Sequence, residues 1–209
     1  MRDYRRPNPT GVLVIILVNV LVFILTELKP EYDFNYFDPA AFHLALHPDT
    51  FTSQPWTLLT NCFVHHDFFH ILGNMVTLYF FGTYLTMLVG EKKFLLTYFL
   101  GGLAGSAFYL IWALVLPWGD PGVRLLGASG AVYAVGGALA ILQPNVRVLM
   151  FFVIPMPLWV AVIGGFVVLT LLSGSYGISW EAHLGGLLVG LAAGLYFRRR
   201  PRARDRYLL

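Results

Sequence analysis

Six blocks of apolar residues, separated by short segments that contain Pro, Gly and charged residues, limit what this chain can fold into. The blocks cover residues 11–28, 68–89, 94–116, 128–142, 148–172 and 182–197. Only 12% of the 209 residues are charged, about half of the ~25% found in a typical soluble domain. Because so few charges cannot cover a water-facing surface, the pattern excludes a soluble globular protein. It predicts an all-α membrane protein, a bundle of six transmembrane helices.

The distribution of basic residues predicts how this bundle is oriented. If the N-terminal segment 1–10 is cytoplasmic, six spans place the tail 198–209 on the same side, and twelve of the fourteen Lys and Arg residues then lie inside. Positive residues favour the cytoplasmic side, so we expect both termini to be cytoplasmic. The membrane domain is 11–197, and its outer loop 29–65 is rich in aromatic residues suited to the headgroup region.

Other features of the sequence disfavour several further classes of protein. The first block could be a secretory signal peptide, but residues 26–30 (Thr-Glu-Leu-Lys-Pro) lack a small-residue cleavage site, which favours a retained span. Cys62 is the single cysteine, so neither an internal disulfide nor structural zinc is expected. The basic residues lie at the termini and in short loops, which indicates topology and no nucleic-acid partner.

Polar side chains at the outer starts of three blocks are the candidate functional residues, because such groups are costly inside spans. His66, His70 and Asn74 follow a four-residue spacing at the start of block two and are expected to share one helix face. Ser129 lies in the tetrapeptide Gly-Ala-Ser-Gly that opens block four, and His183 opens block six. All of these side chains can therefore meet in one layer near the outer side.

Block four is too short to cross a membrane alone. Its roughly 15 residues span ~22 Å as a helix, against a hydrocarbon core of ~30 Å. Since its inner end is fixed by polar residues, we expect Ser129 to sit below the outer surface in a water-filled cavity. A residue in the first helical turn also leaves unpaired backbone N–H groups, which are the donors that an oxyanion requires.

Small residues predict that blocks four and six pack closely. Block six has them at strict four-residue spacing, at Ala182, Gly186, Gly190 and Gly194. Block four has a matching stripe, at Gly130, Ala134 and Ala138. Small residues let two helices approach closely. Such packing would bring His183 within hydrogen-bond reach of Ser129, the nucleophile and base pairing of acyl transfer.

Other interpretations of these residues remain open. A Gly-rich tetrapeptide in a span is most often a helix-packing element, and a histidine at a helix end is usually interfacial. Four histidines near one face could also ligate haem or a metal; these are His65, His66, His70 and His183. The joint arrangement favours acyl transfer, and the absence of an acidic partner other than Glu181 favours a dyad over a triad.

Three sequence motifs around these residues resemble those of a known family. The motifs His-Ile-Leu-Gly-Asn (70–74), Gly-Ala-Ser-Gly-Ala-Val-Tyr (127–133) and Ala-His-Leu-Gly-Gly (182–186) resemble the signature of the rhomboid intramembrane serine proteases. The resemblance covers about residues 10–197 and is to the compact six-span form of bacterial members.

The resemblance implies a role for each site residue. Ser129 would be the nucleophile and His183 its general base and acid. His70, Asn74 and the backbone N–H of Ser129 would form the oxyanion hole. The supporting residues would be Tyr133, which packs against the ring of His183, and the small residues Gly127, Gly130 and Gly186. No cofactor and no metal are implied.

The resemblance also implies a substrate and a setting. Transmembrane segments of other membrane proteins would enter from the bilayer near blocks two and five and be cut at the outer side of a bacterial inner membrane. Pro and Gly residues would let block five bend as a gate, and residues 173–177 would cap the cavity. Two positions depart from the family pattern and bear on loop anchoring: Thr57, which follows Trp56, and Asn61. The alternative within this family is a catalytically silent binder of transmembrane helices.

Overall fold

The computed structural model describes residues 9–27, 43–116, 122–150, 153–176 and 179–199. These residues form six long helices: α1 (Thr10–Glu27), α2 (Phe68–Val89), α3 (Glu91–Val115), α4 (Ser129–Leu142), α5 (Leu158–Tyr176) and α6 (Trp180–Arg199). A short helix at Thr57–Thr60 and a 3₁₀ turn at Asn61–Phe63 precede α2. Each long helix falls on one of the six apolar blocks, so the predicted helical fold class is confirmed.

Two of these helices, α2 and α3, are long and apolar enough on their own to cross a membrane. Shorter apolar helices occupy Thr10–Thr26, Ser129–Leu142 and Leu158–Ser173. The count of six spans and the cytoplasmic position of both termini therefore stay predictions. Most of segment 1–10 and of the tail 198–209, together with 28–42 of the outer loop, lie outside the described residues.

Helix α4 occupies the centre of the bundle, and most of its residues from Ala131 to Ala140 are buried. It packs most extensively against α6 and next against α3. A Cβ on Gly186 would lie 1.9 Å from the carbonyl oxygen of Gly130, and one on Gly190 would lie 2.1 Å from that of Ala134. The predicted seam of small residues between blocks four and six is thus confirmed, and the two helices run parallel.

Helix α3 contributes a second set of close contacts that was not predicted. A Cβ on Gly101 would lie 2.2 Å from the Cβ of Ala134 in α4, and one on Gly105 would lie 2.8 Å from the carbonyl oxygen of Ala182 in α6. Glycine at these positions lets α3 pack closely against both α4 and α6. The three helices α3, α4 and α6 therefore fix the relative heights of Ser129 and His183.

The prediction of a single span over residues 148–172 is wrong. Two antiparallel strands, β1 (Arg147–Met150) and β2 (Ile154–Pro157), come first, and α5 begins only at Leu158. Two of the four residues of β2 are prolines, which have no N–H to continue a helix and are tolerated at the edge of a sheet. At its other end α5 continues to Tyr176, so most of the predicted cap at 173–177 is helical, and residue 177 lies outside the described residues.

The prediction that His66 shares a helix face with His70 and Asn74 is also wrong. Asp67 caps α2, and its carboxylate accepts a hydrogen bond from the backbone N of His70 at 2.9 Å. His66 therefore precedes the helix, and its side chain is exposed. The reason is local: Asp67, the residue after His66, takes the N-cap position, so the helix begins at Phe68.

The two ends of the bundle differ in charge. The site end holds the starts of α2, α4 and α6. At the opposite end, which we call the basic end, Glu91 Oε1 accepts from the backbone N of Gly11 at 2.5 Å, and the Lys93 ammonium lies 5.3 Å from the ring centroid of Phe197. Lys92, Lys93, Arg198 and Arg199 give this end its positive charge.

Candidate active site

A serine and a histidine are in hydrogen-bond contact at the site end. Nε2 of His183 lies 2.8 Å from Oγ of Ser129. His183 is 4% exposed, whereas Ser129 is partly exposed in the first turn of α4. Gly186, about one turn after His183, closely approaches Gly130, the residue next to Ser129, and this approach helps to set the distance. An imidazole nitrogen at this distance can accept the hydroxyl proton and raise the nucleophilicity of the oxygen.

The chain enters α4 through a turn that requires glycine. Gly127 has φ +112°, in the left-handed region that favours glycine. Its backbone N donates to the carbonyl oxygen of Asn61 at 2.9 Å. The N–H groups of the first turn have no intrahelical acceptor, and the helix dipole favours negative charge near them.

His70 borders the same point from α2. A Cβ on Gly127 would lie 2.7 Å from Nε2 of His70 and 3.8 Å from Oγ of Ser129, so the imidazole and the hydroxyl flank Gly127 together. Asn74 follows one turn later on α2 and is 8% exposed. The structure thus brings His70, Ser129 and His183 together, with Asn74 beneath His70.

An aromatic ring packs against the histidine. The rings of Tyr133 and His183 have centroids 4.7 Å apart at an interplanar angle of 33°. Phe166 of α5 meets Tyr133 edge-on, with centroids 6.0 Å apart. Within the described part of the chain, Nδ1 of His183 has no hydrogen-bond partner. The ring is therefore held by packing rather than by an acidic third residue.

The side chains of Asn61 and Ser106 support the site from behind through a hydrogen-bond network. The side-chain amide of Asn61 donates to the carbonyl oxygen of Thr57 at 2.6 Å and to Oγ of Ser106 at 2.9 Å. Ser106 in turn donates to the carbonyl oxygen of Leu58 at 2.8 Å. Both Asn61 and Ser106 are buried. This network fixes Asn61, whose own carbonyl holds Gly127.

From the sequence, Asn61 is only a departure from the family pattern in the outer loop, and no role is predicted for Ser106. The signal for Ser106 was available, because it is a hydroxyl inside the apolar block three. Asn61 and Ser106 also line a small cavity of about 10 Å³ that reaches Ser129. Such a cavity has room for about one water molecule.

His65 lies behind His70 and is 2% exposed. The two rings meet edge-on with centroids 4.9 Å apart, and Nε2 of His65 accepts a long contact of 3.5 Å from the backbone N of Ala128. Burial, and secondarily the nearby His70, lower the pKa of His65 to about 3. The neutral imidazole is therefore the form that fits this position.

The histidines do not form a cluster of metal ligands in the described ranges. There, no group of three or more His, Cys, Asp or Glu side chains is arranged to hold a metal ion. Of the four histidines considered for haem or metal binding, His66 is exposed beside Asp67, with Nδ1 and Oδ2 3.5 Å apart. The thiol of Cys62 is buried, and burial raises its pKa to about 12.

Comparisons with known proteins show the family of this chain. The family model described as the Rhomboid domain matches residues 52–200. The chain is 36% identical over 204 residues to RHOMBOID-like protein 12, mitochondrial, of Arabidopsis thaliana, covering 90% of this chain and 58% of that protein. It is 31% identical over 202 residues to Rhomboid protein 1, mitochondrial, of Saccharomyces cerevisiae, covering 94% of this chain and 56% of that protein.

A third relative, Rhomboid-like protease 3 of Toxoplasma gondii, is 25% identical over 194 residues, covering 90% of this chain and 70% of that protein. The helical bundle, in which two helices are long and apolar enough to span a membrane, fits a membrane protein of the rhomboid type. The chain belongs to the rhomboid family. It spans less than two thirds of the length of the first two relatives.

Proposed function

We propose that this chain is an intramembrane serine endopeptidase that cleaves transmembrane segments of other membrane proteins. The observation that carries the proposal is the 2.8 Å contact between Ser129 and His183 beside His70 at the start of α4. The rhomboid family is an intramembrane protease-like family, and the name of the Toxoplasma gondii relative contains the word protease. The site adds the groups that this chemistry requires.

In the proposed mechanism Oγ of Ser129 attacks the carbonyl carbon of the scissile peptide bond while Nε2 of His183 takes the hydroxyl proton. The resulting tetrahedral intermediate collapses, the C–N bond breaks, and His183 returns the proton to the leaving amine. A water molecule then attacks the acyl-enzyme, again giving a proton to His183. This second attack releases the new carboxyl end and restores Ser129.

The oxyanion that forms in each attack is stabilised by donors from two helices. The backbone N–H of Ser129 points out of the first turn of α4, and His70 reaches the same point from α2. Asn74 completes this set. Donors held in place before the reaction act where charge develops, which is often the largest contribution to catalysis. Tyr133 supports the ring of His183 by packing against it.

We further propose six spans with cytoplasmic termini and a site that opens to the outer side. The concentration of basic residues at the end opposite Ser129 supports this orientation. Substrates would enter between α2 and α5. Helix α5 packs less extensively against the bundle than α6 does, which suits a gate. A bacterial inner membrane stays a prediction, since the two most similar relatives named above are mitochondrial by name.

Purified protein in liposomes, mixed with a model transmembrane substrate, tests the proposal. The wild type is expected to cleave the substrate, and Ser129→Ala is expected to be inactive. Ser53→Ala is the matched control, because that exposed hydroxyl donates to the carbonyl oxygen of Thr50 at 2.9 Å, away from the site. Cleavage that persists in Ser129→Ala would contradict the proposal.

A further inference from the structure

The hairpin β1–β2 at the basic end carries apolar side chains on both faces. We call the three highly exposed apolar residues in the described part of the hairpin the hairpin tip: Leu149 is 60% exposed, Val153 76% and Ile154 52%. Leu149 pairs with Pro155, so Leu149 and Ile154 project from opposite faces. A hairpin that faced water on one side would show polar residues there. The hairpin tip shows apolar residues on both.

The base of the hairpin is fixed to the bundle. Val148 packs against the main core, and Val146 accepts a hydrogen bond from the backbone N of Leu158 at 2.8 Å. The backbone N of Trp159 also contacts the carbonyl oxygen of Pro144 at 3.4 Å. The hairpin is therefore part of the rigid start of α5, while the hairpin tip stays exposed.

The prolines of β2 remove donors that would be costly in lipid. Antiparallel pairs alternate between those that exchange hydrogen bonds and those that do not. Pro155 and Pro157 are two residues apart and cannot donate to β1, so they occupy the second kind of position, opposite Leu149 and Arg147. At these positions the N–H of any other residue would point outward. Unpaired backbone donors are strongly unfavourable in hydrocarbon, and β2 has none there.

Charge at the base of the hairpin complements anionic lipid. Arg147 is exposed at the start of β1, and Arg198 and Arg199 end α6 at the same end of the bundle. The membrane surface attracts basic residues where its lipids are anionic. Trp159, 48% exposed directly after the hairpin, is a residue typical of the membrane interface. It lies at the base of the hairpin, where its backbone N contacts the carbonyl oxygen of Pro144.

We propose that the hairpin tip inserts into the lipid leaflet at the basic end, with Arg147 among anionic phospholipid headgroups, and so anchors the start of α5. The strands lie in the headgroup region, where phosphate oxygens can accept from the remaining donors of β1, and the side chains of the hairpin tip reach the acyl chains. This inference rests on the membrane embedding that is part of the proposed function, and it is independent of peptide-bond cleavage.

Site-specific fluorescence quenching tests the insertion. Val153→Cys, Leu171→Cys and Asn145→Cys are each labelled with an environment-sensitive fluorophore in the full chain. Cys62 can stay, because a buried thiol with a raised pKa reacts poorly, and unlabelled wild type gives the blank. The vesicles contain phosphatidylethanolamine and phosphatidylglycerol, with either spin-labelled lipid or iodide in the water as quencher. Leu171, 80% exposed on α5, is the membrane control, and exposed Asn145 is the water control.

Insertion predicts that spin-labelled lipid quenches the label at 153 as strongly as the label at 171, while iodide quenches only the label at 145. Quenching at 153 by iodide and not by lipid, with 171 still quenched by lipid, would overturn the insertion and leave the membrane embedding intact. A label at 171 that lipid does not quench would overturn the embedding itself. Shielding at 153 from both quenchers would indicate a protein partner, such as a second copy, and would also overturn the proposal.

The part played by charge has its own test. In the Val153→Cys background, Arg147→Glu is expected to reduce lipid quenching in vesicles with phosphatidylglycerol and to change it little in vesicles of phosphatidylcholine alone. An equal response in the two kinds of vesicle would contradict the contact with anionic headgroups. The cleavage activity of the same preparations reports separately on the proposed function.

Discussion

Gly186 of α6 faces the backbone of Gly130 in α4 so closely that a Cβ on Gly186 would lie 1.9 Å from the Gly130 carbonyl oxygen. The obstacle is backbone in the first turn of α4, so it cannot swing aside as a side chain could. Together with the approach of Gly190 to Ala134, this contact sets the separation of the two helices that carry Ser129 and His183.

Gly186→Ala is therefore expected to lower both stability and activity. Overpacking of a core costs about 1–3 kcal/mol, and here it also separates the serine from the histidine. Thermal unfolding in detergent and cleavage of a transmembrane substrate measure the two effects. Gly164→Ala is the control for stability, since nothing lies within 4 Å of a Cβ at that position of α5. A Gly186→Ala protein as stable as that control and as active as the wild type would refute the assigned packing.

Gly127→Ala tests the turn that leads into α4. A residue other than glycine at positive φ costs on the order of 1–3 kcal/mol, and the new Cβ would also press on His70 at 2.7 Å. Gly90→Ala separates the two effects, because Gly90 has φ +89° and open space around a Cβ. We expect both variants to lose stability, and only Gly127→Ala to lose about 10²-fold or more in rate, the loss typical of a missing oxyanion donor.

Cleavage rates compared at matched folded fractions give the answer. If Gly127→Ala and Gly90→Ala lose activity only in proportion to their loss of stability, then the contact between Gly127 and His70 has no part in catalysis.

Asn61→Ala tests the network behind the site. It removes the amide that donates to Thr57 and Ser106, and leaves the buried hydroxyl oxygen of Ser106 without this donor, at about 1–3 kcal/mol. The carbonyl oxygen of Thr57 still accepts from the backbone N–H of residue 61. Because the carbonyl of Asn61 holds Gly127, we expect kcat to fall and KM to change little. Ser106→Ala is the comparison, since it removes one link and keeps the bond to Thr57. A change confined to KM would show that Asn61 affects substrate binding and not the geometry at Gly127.

His65 predicts a pH dependence of stability. Its pKa is lowered to about 3 by burial in the folded protein, against ~6.5 in an unfolded chain. The unfolded state thus binds the proton more readily, so this contribution is full above about pH 6.5 and is lost as the pH falls toward 3, by up to about 1.4 kcal/mol per pH unit. Unfolding midpoints between pH 7 and 4 should fall less steeply in His65→Asn than in the wild type. His66→Asn, at an exposed position, should keep the wild-type slope, and equal slopes in all three proteins would contradict the assignment.

The sequence predicted the parts of this structure that depend on a regular pattern. The bounds of block two coincide with those of α2, and the four-residue spacing of small residues from Gly130 and Gly186 onward located the α4–α6 contact. Both signals are properties of single helices and can be read without knowledge of their neighbours.

The errors arose where single residues override an apolar pattern. Hydropathy over 148–172 is nearly continuous, but Pro155 and Pro157 lack the donors a helix needs, so the chain forms a hairpin first. Likewise Asp67 is the N-cap of α2, so the helix begins after His66, and His66 does not lie on its face. The support of Gly127 by Asn61 depends on the fold of the outer loop, which no periodicity in the sequence reports.

In the proposed mechanism Ser129 is a nucleophile activated by His183. A fluorophosphonate forms a covalent bond only with an activated serine, so this activation is tested by labelling the folded protein in liposomes, followed by mass spectrometry of the peptides. We expect one adduct, on Ser129, that is lost in His183→Ala although that protein still carries the serine. A folded wild-type protein that forms no adduct, or whose His183→Ala variant labels equally fast, would contradict it.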